Sequence, residues 1–255
     1  MGFLDGTRPI AIAHRGGTEA APENSLDAFR NAWRLGFRYL ETDVHLTVDG
    51  TLVAFHDDRL DRVTDRVGAV AERSAAEVAS ARIHGTHPIP TLDELLEEFP
   101  DARFNIDAKH DEAAEALVPA LRRHGALGRV CVGGFSDSRL RRLRAQAGPE
   151  LCTSAGPREI AAEVARSRLG GDRGGPGVPA YRCLQVPVRH RNVEVVTERL
   201  VERAHRRGLQ VHVWTIDEPG EMHRLLDLGV DGIMTDLPTV LRTVLERRGE
   251  WPGPT

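Results

Sequence analysis

Short apolar runs alternate with amphipathic stretches along almost the whole of this 255-residue chain, and that alternation restricts the fold more than any other feature. Strands are expected at Ile10–Ala13, Tyr39–Thr47, Leu52–His56, Phe104–Ala108, Val130–Phe135, Leu151–Ser154, Cys183–Val186, Leu209–Thr215 and Gly232–Thr235. Helices are expected at Ser25–Leu35, Leu92–Glu98, Glu112–His124, Asp137–Gln146, Pro157–Arg168, Glu194–Arg207, Glu218–Leu228 and Pro238–Arg247. Strands separated by helices imply parallel pairing with helical crossovers. Eight such units in about 250 residues is the size of a (β/α)8 TIM barrel. A doubly wound open sheet is the alternative, but no Gly-x-Gly-x-x-Gly follows the first strand. The reading is a single domain over 1–255 with a small polar insertion at 57–90 and a Gly/Pro loop at Gly170–Pro179.

Composition removes several classes of function. A net charge of -4 argues against nucleic acid or an anionic membrane as the main partner. Aromatics are only 5%, too few for a base-stacking platform. No apolar run approaches the roughly 18 residues of a membrane span, so no stable membrane insertion is expected. Cys131, Cys152 and Cys183 are odd in number and lack Cys-x-x-Cys spacing, which reads as reduced thiols in a cytoplasmic protein. The N-terminus carries no secretory pattern.

Chemistry-bearing residues collect at the ends of the first strands, where a barrel places its active site. The first strand runs into His14-Arg15-Gly16-Gly17, which puts an imidazole and a guanidinium together at the rim. Arg15 suits bidentate binding of phosphate. In the second strand Glu41, Asp43 and His45 are spaced by two and share a face. Two convergent carboxylates suit a hard cation, Mg2+ or Ca2+. Asp49-Gly50 signals a two-residue hairpin loop, in which residues whose numbers sum to about 99 face each other. That register sets His56 opposite Asp43 and puts Val53 and Phe55 on the apolar face. A three-residue loop would shift it by one. Asn105, Asp107 and Lys109 share a face of the fourth strand in the chain. Trp214 ends a late strand at the rim. Asn24 is read either as a cap for the helix near Ser25 or as a phosphate contact, and His45 as structural. Of 34 basic side chains, only Lys109 is a lysine.

At these residues the sequence resembles the glycerophosphodiester phosphodiesterase family. The matching segments are AHRGG at 13–17, PENS at 22–25, ETDVHLTVDGTLVAFHDDRLDRVT at 41–64, IPTLDELLEEFP at 89–100, FNIDAK at 104–109, VWTID at 213–217 and GVDGIMTDLP at 229–238. The resemblance implies a phospholipase-C-like barrel that hydrolyses small glycerophosphodiesters to glycerol 3-phosphate and an alcohol. It implies His14 and His56 as the acid/base pair. Glu41, Asp43 and Asp107 would hold one divalent cation, Mg2+ or Ca2+, with Mn2+ also compatible. Arg15 and Lys109 would bind phosphate, with Trp214, Asn24 and Phe135 as further substrate contacts. The family commonly has Glu at 107, Ser at 134 and Asn at 217, where this chain has Asp107, Gly134 and Asp217. Two other functions compete. A lysophospholipase-D-like activity would need an apolar groove, and the polar insertion argues against one. A catalytically silent phosphodiester-binding barrel would not need the histidine pair.

Overall fold

The computed structural model describes residues 2–169 and 179–251. Numbered in chain order, the barrel strands are β1 (Ile10–Ala13), β2 (Tyr39–Leu46), β3 (Arg103–Ala108), β4 (Val130–Gly133), β5 (Cys152–Thr153), β6 (Cys183–Pro187), β7 (Gln210–Trp214) and β8 (Gly232–Thr235). They are hydrogen-bonded in the order β5-β4-β3-β2-β1-β8-β7-β6, every pair parallel. A single parallel bridge between Ser154 and Cys183 joins the two ends, so the sheet is a nearly closed barrel rather than an open doubly wound sheet. The outer helices are α1 (Leu26–Arg34), α2 (Leu92–Glu98), α3 (Asp111–Arg123), α4 (Asp137–Ala147), α5 (Pro157–Arg168), α6 (Glu198–Arg206), α7 (Pro219–Asp227) and α8 (Pro238–Arg248).

Local chemistry sets the helix ends. Ser25 caps α1 by accepting from the Ala28 amide, and Thr91 with Glu94 forms a reciprocal capping box on α2. The expected helix from Glu194 starts later, because Thr197 caps α6 and Val193–Glu194 pair with Arg189–His190 in a small hairpin. Helix faces bury Phe29, Leu95, Leu117, Leu143 and Leu241 against the outward side of strands, including Leu40, Phe104 and Val132. The expected Gly170–Pro179 loop lies outside the described residues apart from Pro179.

The hairpin register differs from the expected one. Val44 pairs with Ala54, His45 with Val53 and Leu46 with Leu52. The loop is longer than two residues because Thr47 organises it: its hydroxyl bonds Asp49 Oδ1 and its amide donates to the Thr51 carbonyl. Val53 and Phe55 therefore do not join the barrel core. They pack with Leu60, Val70, Val78 and Ile83, giving the 57–90 insertion a small core of its own. The strand from Leu52 stops at Ala54, and the following turn, not strand pairing, aims His56.

The barrel floor is filled by Ile10, Ile12, Tyr39, Met234 and the three cysteines, all free and buried as small apolar groups. His212 is fully buried, and that burial pushes its imidazole down to about 4, with Asp231 and Cys152 opposing only in part. The folded chain thus refuses a proton that the unfolded chain accepts, and stability falls as pH drops from about 6.5 towards 4. His212→Gln should remove about 2 kcal/mol of the loss that wild type shows between pH 6.5 and pH 5 in urea titrations. Equal slopes in the two proteins would show that His212 is not the source.

Candidate active site

The site is assembled by strand register. Asp43 of β2 is the partner of Asp107 on β3, and Glu41 is the partner of Asn105 one pleat below. Beyond β1 the chain turns sharply at His14–Gly16, with Arg15 at φ 51. That turn is held from both sides: the Arg15 amide donates to Glu41 Oε2 at 2.9 Å, and the Asn24 amide donates to the Arg15 carbonyl at 2.9 Å. His14, Arg15, Glu41, Asp43, His56, Asp107, Lys109, Phe135 and Trp214 all line one cavity of about 690 Å3 at the C-terminal mouth of the barrel.

Asn24 alone among the expected residues does not line it. It is 1% exposed, and its Oδ1 accepts from the Thr42 hydroxyl at 2.8 Å on the far face of β2. Nor does it cap α1, since Ser25 does. Its place is behind the carboxylate strand, buttressing the turn at Arg15.

Each candidate histidine is tied through Nδ1 to a carboxylate. His14 Nδ1 lies 2.7 Å from Asp236 Oδ1, and His56 Nδ1 lies 2.6 Å from Asp57 Oδ1. A carboxylate can only accept, so each Nδ1 carries the proton and each Nε2 is left free for chemistry. Burial pulls the His14 pKa down, but Glu41 and Asp236 outweigh it and the net shift is upward. Asp57 is held down to about 2, chiefly by the Arg62 guanidinium. A relay of charges follows: Arg62 bonds Glu23 at 2.6 Å, and Glu23 accepts from Arg15 at 3.1 Å.

The carboxylates are buried and crowded. Burial and the neighbouring Asp43 push Glu41 up to about 7, and burial also raises Asp107. Lys109 Nζ bridges Asp43 Oδ1 at 2.6 Å and Asp107 Oδ2 at 3.1 Å. Asp43 Oδ2 and Asp107 Oδ1 are buried with no hydrogen-bond donor. Orphaned carboxylate oxygens beside a third carboxylate are the donor set a hard divalent cation takes, so these residues fit such an ion. Gly134 helps to leave that room: a Cβ there would stand 3.3 Å from Asp107 Oδ1.

Several contributors were not legible in advance. Asp236 reaches His14 from 222 residues away, and Asp217 orients it by accepting from the Asp236 amide and the Thr235 hydroxyl, each at 2.8 Å. Glu23 and Arg62 carried no distinguishing spacing. Asp57 could have been found, because it directly follows His56. The cavity also has an apolar side wall of Ile160 and Val164 from α5 with Pro187 and Val195. The 57–90 insertion contributes none of the lining, so its polarity has no bearing on whether a groove exists.

A histidine pair, a carboxylate cluster and two cations at the mouth of a (β/α)8 barrel define an enzyme of the phosphodiesterase class. The chain belongs to the glycerophosphoryl diester phosphodiesterase family, whose model matches residues 14–240. It is 43% identical to probable glycerophosphodiester phosphodiesterase 2 of Mycobacterium tuberculosis, over 98% of this chain and 96% of that one. The crystal structure of "Putative glycerophosphoryl diester phosphodiesterase" from Silicibacter pomeroyi superimposes with a TM-score of 0.78, at 26% identity and covering 94% of each chain. An Oleispira antarctica phosphodiesterase, solved in complex with the product sn-glycerol-3-phosphate, has the same fold at a TM-score of 0.78, with 24% identity, covering 94% of this chain and 97% of that one.

Proposed function

We propose that the protein hydrolyses glycerophosphodiesters to glycerol 3-phosphate and an alcohol, with one divalent cation held by Glu41, Asp43 and Asp107. The observation that carries this reading is the pair of histidines, each fixed by a carboxylate at Nδ1, over a floor of carboxylates and cations. Arg15 and Lys109 take the phosphoryl oxygens. Of His14 and His56, one removes a proton from the attacking oxygen and the other gives one to the departing alcohol, both at Nε2. When bound, the cation supplies Lewis-acid polarisation of the phosphoryl group and neutralises developing charge. The product bound by the Oleispira neighbour supports the glycerol 3-phosphate side of the reaction. A panel of glycerophosphodiesters assayed with EDTA, Mg2+, Ca2+ and Mn2+ tests the whole reading. No release of glycerol 3-phosphate under any of these conditions would overturn it.

Lys109→Arg should lower turnover at least roughly tenfold, about 1.4 kcal/mol. The compact ammonium fits between Asp43 and Asp107, and a planar guanidinium would force them apart. Steady-state kinetics with circular dichroism as a folding control checks this, and wild-type turnover would return the one lysine to coincidence.

The apolar side wall favours a second reading, lysophospholipase-D-like turnover of substrates with an acyl chain. Val164→Asp should then reduce turnover of lysophosphatidylcholine at least about tenfold while leaving glycerophosphocholine nearly unchanged. Equal effects on both substrates would remove the acyl assignment. No helix among the described residues is long and apolar enough to cross a membrane. The three free thiols support a reducing, cytoplasmic compartment.

A further inference from the structure

On the outer side of the turn that carries His56, three residues outside the cavity lining come together. His45, near the end of β2, Asp58, two residues past His56, and His110, next to Lys109, each bring one ligand atom within 4.8 Å of the other two. His110 Nε2 lies 3.2 Å from Asp58 Oδ1, and the His45 and His110 rings are 5.3 Å apart between centroids. That ion pair alone would account for two exposed side chains. It does not account for His45.

His45 is 1% exposed. Its Nε2 lies 3.1 Å from the His56 carbonyl oxygen. A carbonyl can only accept, so Nε2 donates and carries the ring proton, leaving Nδ1 with its lone pair. That Nδ1 is buried and has no hydrogen-bond partner. An imidazole whose far nitrogen is fixed by a backbone carbonyl is the arrangement that orients a metal-binding histidine. Two imidazoles and one carboxylate are also a donor set of zinc sites that keep a fourth position open. In a tetrahedral site with bonds of about 2.0–2.1 Å, neighbouring ligand atoms lie about 3.3–3.4 Å apart. The Asp58–His110 separation is already close to that edge. With side chains 71% and 43% exposed, Asp58 and His110 leave the approach open to solvent.

We propose that His45, Asp58 and His110 form a second cation site, distinct from the carboxylate site, for an imidazole-preferring divalent ion such as Zn2+. Asp58 follows His56 by two residues and His45 Nε2 meets the His56 carbonyl, so a bound ion ties the turn carrying that histidine to β2 and, through His110, to the segment after β3. The site stands on its own geometry and does not depend on the proposed reaction.

Co2+ is the probe, added to the full chain with Mg2+ in excess. Oxygen-only octahedral Co2+ absorbs weakly in the visible, whereas four- or five-coordinate Co2+ with imidazole ligands absorbs strongly. We expect a visible band that saturates at one equivalent and is bleached by Zn2+. His110→Ala and Asp58→Asn should each abolish the band, and Asp107→Asn should leave it. Both His110 and Asp58 are exposed, and the His110 side chain makes no capping bond to α3, so these variants retain the fold. No band in wild type, a band that survives in His110→Ala, or a band lost in Asp107→Asn would each overturn the site.

Discussion

His14→Ala should lower kcat about a thousandfold, on the order of 4 kcal/mol in transition-state stabilisation, with little change in KM. His14 sits on the turn leaving β1, where Asp236 holds Nδ1 at 2.7 Å and Glu41 lies 3.8 Å from Nε2. These carboxylates keep the ring able to hold a proton despite its burial. Alanine removes the proton carrier but leaves Arg15 and Lys109 to bind the phosphodiester and the carboxylates to hold the cation, which is why kcat moves and KM does not. Asp236→Asn should also lower kcat steeply, because an amide can donate to Nδ1 and so favour the tautomer that carries its proton on Nε2. Steady-state rates on one glycerophosphodiester check both variants. Wild-type turnover in His14→Ala would remove the acid/base assignment.

The contrast between His14 and Asp236 shows how far the sequence could be read. Strand faces are fixed by a period of two, so Glu41 with Asp43, and Asp107 with Lys109, were legible as pairs before any fold was known. What brings those pairs together is the register of β2 on β3, which two separate strands do not encode locally. His56 reached the cavity by a different route from the expected one. Thr47 lengthens the hairpin loop and shifts every pair by one, yet the bend after Ala54 restores the histidine to the site. Asp236 was invisible for a topological reason: barrel closure makes β8 the neighbour of β1. The wall on α5 shows a limit of periodicity. Ile160 and Val164 are spaced four apart like any core face, and that spacing is the same whether the face packs on protein or borders a cavity. The asymmetric seam between β5 and β6, closed by one bridge, likewise has no signature beyond two short strands.

Glu41→Gln should separate function from stability by moving them in opposite directions. Glu41, Asp43 and Asp107 are 5%, 3% and 9% exposed, so three carboxylates are withdrawn from water within one site. Lys109 and Arg15 offset part of that cost, with Arg15 Nε 3.5 Å from Asp43, but burial and mutual repulsion still drive Glu41 up to about 7. Glutamine keeps the shape and can still accept from the Arg15 amide while removing one buried charge. Without a divalent ion the variant should therefore be more stable than wild type by about 1 kcal/mol, a rise in Tm of about 2–4 °C for a chain of this size. Its activity should fall at least about a hundredfold, near 2.7 kcal/mol, because the charge that costs stability is the one that holds the cation. Adding Mg2+ or Ca2+ should raise the Tm of wild type and leave the variant nearly unmoved, since only an ion bound preferentially to the folded state stabilises it. A residue kept for packing alone would behave in the reverse way, with lower Tm and retained turnover. That outcome would place the cation elsewhere in the cavity. The opposite signs are the stronger test because damage to the fold lowers both quantities together and cannot produce them.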